Sequence, residues 1–301
     1  MTPALRIVHA DDAIQTKISE LSPVADQALT AEIESLHQEL KYLRQRDETL
    51  NFYMERLDEE LRLAARLQQD FLPKQLPQIG PVQFHTLFRP ASYVSGDLYD
   101  VFRLDETHVG FFMADAVGHG MPAALLTMFI KNAIVTKQIN SDGYRLLDPS
   151  EVLGALNNRM VEQNLTQATF ATAVYATIDA STLQLKYARA GHPLPLLMRA
   201  SGEIICLDSL GGLLGIFPDE VYSLGQMQLQ SGDRLFVYSD GIEVAFAADQ
   251  ESQSSQWRAE LQRRRDMPTE QLLSELTAML DGETGSLSPK DDLSMIIMEV
   301  K

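Results

Sequence analysis

Residues 95–120 read SGDLYDVFRLDETHVGFFMADAVGHG, and the reading of this stretch decides the fold. VFRL carries aliphatic and aromatic β-formers, DETH is a polar turn, and VGFFMA is a nearly continuous apolar run of buried-strand length. The pattern predicts a β-hairpin. An acidic residue stands at each outer end, Asp97 before the first strand and Asp115 after the second. In an antiparallel hairpin those ends lie side by side, so the two carboxylates can meet across the ladder at roughly 5 Å. Like charges that close are unfavourable unless a cation sits between them, and a divalent metal, which prefers hard oxygen ligands, is the obvious candidate. Gly118-His119-Gly120 closes the segment with two glycines that let backbone approach a ligand, and an apolar helix with Pro122 in its first turn follows. Taken alone, two turn aspartates are ordinary in a long chain. Acidic positions further along give the pair its meaning.

Working outward, 301 residues suffice for one large domain or two. An apolar content of 45% and a charged content of 22% are those of a soluble globular protein. A formal net charge of −17 argues against a nucleic-acid-binding surface. Cys206 is the single cysteine, so no internal disulfide framework is expected, and its place in EIICL suits a small buried side chain. The N-terminal residues lack a signal-peptide pattern, and no run approaches the eighteen or more apolar residues of a membrane span. The expectation is a soluble cytoplasmic protein.

Residues 1–28 carry no strong pattern and read as a tail. Over residues 29–71, Leu29, Leu36, Leu43, Leu50, Leu57, Ala64 and Phe71 recur every seven positions. Ile33, Leu40, Met54 and Leu61 take the complementary positions, with Asp47 and Gln68 as polar exceptions. A heptad repeat held for about six heptads argues for a coiled coil, roughly 60 Å long at 1.5 Å per residue. Such a stripe cannot bury itself, so residues 29–72 are expected to form a homodimerising linker helix. Pro73 and Pro77 end it, and a domain of residues 73–301 follows. Ten strand-like runs, from VQFHTLF to LSMIIMEV, accompany helical runs at residues 122–137, 149–164 and 269–280. That grouping implies an α+β domain of antiparallel sheets with helices packed outside. SQSSQWRAELQRRR reads as a polar insertion in which Trp257 is a packing anchor.

Two more acidic signals lie near the C-terminus. RLFVYSDGIEVAF ends a buried strand at Ser239-Asp240-Gly241, and PKDDLSMIIMEV sets Asp291 and Asp292 at the mouth of the last strand. Four strand ends therefore each offer an aspartate, which suggests a carboxylate-lined metal site. Only six histidines are present, without ligand spacing, which counts against a His-rich phosphodiesterase centre.

AARLQQDFLPKQLP, SGDLYD, ADAVGHGMPAALL, FATAVYATID, LKYARAGHPLPLL, GGLLGI, SGDRLFVYSDGI and KDDLS follow one another through about four-fifths of the chain. In this order and spacing the sequence resembles the bacterial PPM-type (type 2C) metal-dependent serine/threonine phosphatases of the SpoIIE/RsbU branch. The resemblance implies a β-sandwich of two antiparallel sheets flanked by helices, with two Mn²⁺ or Mg²⁺ ions at one edge. Carried over, Asp97 and Asp115 are ligands, with Asp115 bridging and Ala116 offering its carbonyl. Asp240 and Asp291 complete the ligand set of the second ion, ahead of Asp292. Two ions about 3.5–4 Å apart would activate a bridging water for in-line attack, so no protein nucleophile is needed. The chain departs from the family pattern at Ala116, where a Ser is usual, and at Val244, where the family often has an acidic residue. Glu243 is therefore read as favouring a helix N-terminus, His119 as shaping a loop, His192 as a turn residue and Asp100 as a hairpin-surface carboxylate. The implied activity is a phosphoprotein phosphatase, with a STAS-type anti-sigma-factor antagonist as substrate in a partner-switching pathway. The competing reading is a dimeric signalling scaffold that binds its partner without turnover.

Overall fold

VGFFMA, and the MIIM run inside LSMIIMEV, are apolar at consecutive positions and not only at alternate ones, which demands that both faces of their sheets be covered. The computed structural model describes residues 23–141, 143–164, 169–246, 253–283 and 291–301. The expected tail falls largely outside the described residues. The chain divides into two units, residues 1–60 and 61–301.

In the first unit a single helix is described, the N-terminal part of α1 (Pro23–Phe71), which starts ahead of the expected Leu29 and runs 49 residues. Its heptad side chains are open to solvent: Leu36 is 54% exposed, Leu43 47% and Leu57 56%. Charged pairs such as Arg56–Glu60, four residues apart, lie along the same helix.

The second unit takes up the last turns of α1 and carries two five-stranded sheets and a two-stranded one. Its strands are β1 (Val82–Arg89), β2 (Asp97–Arg103), β3 (His108–Ala116), β4 (Lys137–Asn140), β5 (Gly143–Leu146), β6 (Ala171–Asp179), β7 (Gln184–Ala190), β8 (Leu196–Met198), β9 (Ile204–Cys206), β10 (Gly225–Gln228), β11 (Arg234–Tyr238) and β12 (Leu293–Val300). The helices are α2 (Met121–Ala133), α3 (Pro149–Glu162), α4 (Asp240–Ala245), α5 (Gln253–Arg263) and α6 (Thr269–Glu283). One sheet orders its strands β1-β12-β11-β8-β9 and the other β10-β7-β6-β3-β2, every pairing antiparallel.

Side-chain alternation sorts the strands into layers. Phe84, Phe111, Met113, Val174, Leu235, Val237, Ile296 and Met298 form the core between the sheets. On the opposite face of β3, Phe112 and Ala114 pack with Leu126 and Ile130 of α2 and with Val152, Leu153 and Leu156 of α3. On the opposite face of β11 and β12, Phe236, Tyr238, Met295 and Ile297 pack with Ile242, Trp257, Leu261, Leu272 and Leu276 of α4, α5 and α6. The result is helix, sheet, sheet, helix: the expected α+β sandwich of two antiparallel sheets flanked by helices.

Three local expectations are corrected. The run at 122–137 stops as a helix at Ala133, and Lys137 opens β4 of a small hairpin that the pattern did not signal. The extended reading of VYSLGQMQL shrinks to β10, paired with β7. The polar insertion holds helix α5, whose Trp257 is 0% exposed. That indole lies edge-on to Tyr238 at 5.7 Å between centroids and stacks on Phe246 at 5.2 Å. Trp257→Ala is expected to cost about 3–5 kcal/mol through the cavity it leaves, measured as a fall in the urea midpoint at unchanged slope.

Candidate metal centre

Antiparallel pairing of β2 with β3 sets Asp97 directly opposite Asp115. Both carboxylates lie inside the strands and not beyond their ends: Asp97 is the first residue of β2 and Asp115 the last but one of β3. The DETH turn is closed by Asp105, whose carboxylate accepts the N–H groups of Thr107 and His108 at 2.9 and 2.8 Å. In the other sheet β11 and β12 are antiparallel neighbours with Tyr238 opposite Met295. Asp240, first residue of α4, therefore lies next to Asp291 and Asp292, which enter β12. Gly241 is what permits this approach, since a Cβ there would meet the Asp292 carbonyl oxygen at 2.1 Å.

The carboxylates share one electrostatic field. Burial, then the charge of Asp115, holds the Asp97 carboxyl well above its ordinary value, with the neighbouring Ser294 and Ser239 hydroxyls offsetting part of the rise. Asp115 is pushed up to about 7 by burial and then by Asp240, Asp291 and Asp292. Asp240 is raised by partial burial and by Asp291. Among the described residues the side chains do not close into a ready-made three-ligand cage. They do fit a cation in another way. Asp97 is 2% exposed and its Oδ2 has no hydrogen-bond partner. A buried carboxylate with one oxygen unbonded and further carboxylates facing it calls for positive charge, and an all-oxygen donor set suits Mg²⁺ or Mn²⁺.

The remaining predicted residues separate. Ala116 is buried, and a Cβ at Gly96 would lie 3.1 Å from its carbonyl oxygen, so Gly96 keeps that oxygen's surroundings open. Asp291 is exposed at the mouth and, among the described residues, its carboxylate accepts the N–H of Asp292 at 2.8 Å. Asp292 is otherwise engaged: its two oxygens accept the N–H groups of Ala91 and Gly96, each at 2.7 Å. It ties the loop before Asp97 to the start of β12. His119 is exposed in the β3–α2 loop, between Gly118 and Gly120 at φ of 91° and 73°, angles that favour glycine. Asp100 is no surface carboxylate, because Lys131 of α2 holds it at 2.6 Å with both side chains 21% exposed.

Several residues of the site escaped sequence reasoning. A cavity of about 380 Å³ is lined by Asp115, Asp240, Thr172, His192, Glu243 and Arg258 together with the 191–194 loop. Thr172 is the β6 register partner of Asp115, and its Oγ1 lies 2.7 Å from Nδ1 of His192. Burial pushes the His192 imidazole down to about 3, so it is neutral. Glu243 accepts the Tyr238 hydroxyl at 3.1 Å. Ser239 Oγ donates to the Asp292 carbonyl at 3.2 Å and accepts the Ser294 N–H at 3.0 Å, which explains the serine before Asp240. Gln68, the polar exception in the heptads, is 5% exposed: its Oε1 accepts the Ser95 N–H at 2.8 Å and its Nε2 donates to the Ser95 carbonyl at 2.7 Å.

Known proteins carry the same framework. The chain is 33% identical to the phosphoserine phosphatase RsbU of Bacillus subtilis over 66% of its length and 57% of that protein's. It is 30% identical to the phosphoserine phosphatase RsbP of the same organism, over 61% of its length and 45% of that protein's. It thus spans about half the length of these curated relatives. The solved PP2C domain of SiaA from Pseudomonas aeruginosa superposes with a TM-score of 0.70 at 23% identity, covering 82% of this chain and 98% of that domain. It is a PP2C fold. Residues 105–301 match the family model described as stage II sporulation protein E. That match takes in Asp115, Asp240 and Asp291, and the chain belongs to the SpoIIE family.

Proposed function

We propose that this chain is a metal-dependent phosphatase that removes phosphate from serine or threonine of a regulatory protein. The observation that carries the reading is the convergence of Asp97, Asp115, Asp240 and Asp291, from the ends of both sheets, in one field beside an open cavity. Membership of a family whose relatives RsbU and RsbP are named phosphoserine phosphatases supports it. Asp97, Asp115, Asp240, Asp291 and the carbonyl of Ala116 would hold two Mn²⁺ or Mg²⁺ ions. When bound, these supply a water acidic enough to attack phosphorus at neutral pH and neutralise the phosphoryl oxygens. Buried Asp97 fixes one side of the site through the β2–β3 register, while Asp240 and Asp291, at the solvent edge, remain open to substrate. The neutral His192 and Thr172 line the same cavity as Asp115 and bond to each other. A STAS-type protein in a partner-switching pathway is the proposed substrate, on the family resemblance.

The domain scheme belongs to the same proposal: a coiled coil over residues 29–72 pairs two copies, and residues 73–301 form the phosphatase domain. Exposed Leu36, Leu43 and Leu57 at heptad spacing support a second copy as occupant of the stripe. The helix ends in the Gln68 tie to Ser95, two residues before Asp97, which supports control of the site by the state of the coil. Among the described residues no helix is long and apolar enough to cross a membrane.

Mn²⁺-dependent release of phosphate from a phosphoserine protein and from p-nitrophenyl phosphate is expected for the wild type. Asp240→Asn should lower kcat more than about 100-fold, beyond the range typical of outer-shell losses. Manganese binding without turnover in the wild type, on both substrates, would favour the scaffold instead. Asp291→Asn and Asp292→Ala are expected to part company. The first should weaken Mn²⁺ binding in calorimetry at an unchanged melting temperature. The second should destabilise folding by about 1.5–3 kcal/mol through lost charge-assisted hydrogen bonds. Replacing Leu43 and Leu50 together by Ser should convert a dimer to monomers in analytical ultracentrifugation and change turnover. Neither changing would end the coiled-coil proposal.

A further inference from the structure

The cavity beside the carboxylates has an electrostatic problem that its acidic residues cannot solve. A phosphate monoester entering it brings two negative charges to a wall that already holds Asp115, Asp240 and Glu243. Ions held by the aspartates would offset some of that repulsion. Among the described residues, the one cationic side chain lining this cavity is Arg258.

Arg258 is held in place by its neighbour. It follows Trp257 in α5, and the fully buried indole, packed on Tyr238 and Phe246, fixes the helix against the sheet. The guanidinium is thereby presented to the cavity from a rigid element. Its Nε is buried and has no hydrogen-bond partner. Arg258 lies close enough to Glu243 for its charge to be felt there. Yet it forms no ion pair among the described residues, and the Glu243 carboxylate receives the Tyr238 hydroxyl instead. A structural arginine in a half-buried wall is ordinarily satisfied by a carboxylate or by carbonyl oxygens. One with a buried, unbonded Nε beside an open cavity holds its donors ready for something that enters.

We propose that Arg258 binds the phosphoryl group of the substrate, and of the inorganic phosphate product, through its guanidinium fork. The inference rests on the phosphatase reading above and adds a substrate-binding residue outside the carboxylate set. A guanidinium presents parallel N–H donors that match two oxygens of a phosphate, which an ammonium cannot reproduce. Two oxygens of the group would engage Arg258 while the others face the carboxylate-held ions.

The test uses the full chain loaded with Mn²⁺ and compares wild type with Arg258→Gln and Arg258→Lys. Three quantities are read: KM and kcat for p-nitrophenyl phosphate, the inhibition constant of inorganic phosphate, and Mn²⁺ affinity by calorimetry. Arg258→Gln is expected to raise both KM and the phosphate inhibition constant by about 10-fold or more, as loss of a charge-assisted hydrogen bond implies. Mn²⁺ affinity should stay within about twofold, and Arg258→Lys should recover part of the loss by restoring charge without the fork. Unchanged KM and inhibition constant in a folded Arg258→Gln protein would overturn the proposal. So would a parallel loss of Mn²⁺ affinity, which would make Arg258 a prop for the carboxylates. If Arg258→Gln does not fold, Arg258→Lys decides by the same constants, raised several-fold or unchanged. Calorimetric binding of inorganic phosphate to the Mn²⁺-loaded protein needs no turnover. Wild type that binds phosphate through Arg258 but hydrolyses nothing would therefore sink the phosphatase reading and leave this one standing.

Discussion

The register of β2 against β3 is the constraint on which the rest of the molecule depends. It places Asp97 opposite Asp115, an arrangement that opposes folding, because burial and mutual repulsion both act against ionised carboxylates there. The Asp105 turn helps to set that register but does not offset the repulsion. What holds it is the alternation of β3, with Phe111 and Met113 in the core between the sheets and Phe112 and Ala114 against α2 and α3. A slip by one residue would exchange these two sets and send each into the wrong layer. Burial on both faces is thus what forces two carboxylates together, and the chemistry of the site is stored in the packing of the sandwich.

The two halves of the site come from different sheets; Asp292 ties them together, and Ser239 and Gly241 order the half to which Asp292 belongs. Asp292 receives backbone N–H groups from both sides of the loop before Asp97. Ser239 clamps the end of β11 to the start of β12. Gly241 lets the backbone of α4 lie against the Asp292 carbonyl where any side chain would collide. The adjacent aspartates therefore divide the labour: Asp292 is consumed by architecture and Asp291 is left facing solvent.

Much of this was legible in the sequence, and the reasons are physical. Strands buried on both faces announce themselves as apolar runs, and a hairpin brings its ends together by geometry alone, so the Asp97–Asp115 pair could be read directly. Heptad spacing needs no tertiary information either. What failed were features fixed by contacts distant in sequence. Asp100 looked like a surface residue because its partner Lys131 lies 31 positions away. Helix α5 looked like an insertion because only Trp257 and Leu261, one turn apart, reach the core while its other positions, Ala259 apart, are polar. The hairpin of β4 and β5 is mostly exposed, so no burial pattern marks it. Arg258, His192 and Thr172 reach the same cavity from three separate elements, and no spacing rule links them.

The amide of Gln68 gives a measure of how strong any message carried by the long helix can be. Its two bonds to the Ser95 backbone are neutral hydrogen bonds, each with a net worth of about 0.5–1.5 kcal/mol. A rotation of the helix by one residue, about 100°, would remove both together, since one side chain makes them. Those two bonds would contribute about 1–3 kcal/mol to any such communication, which corresponds to a change of about 5–150-fold in an equilibrium. If the coil controls the site as proposed, a joint of that size would tune the loop before Asp97 through a single side chain.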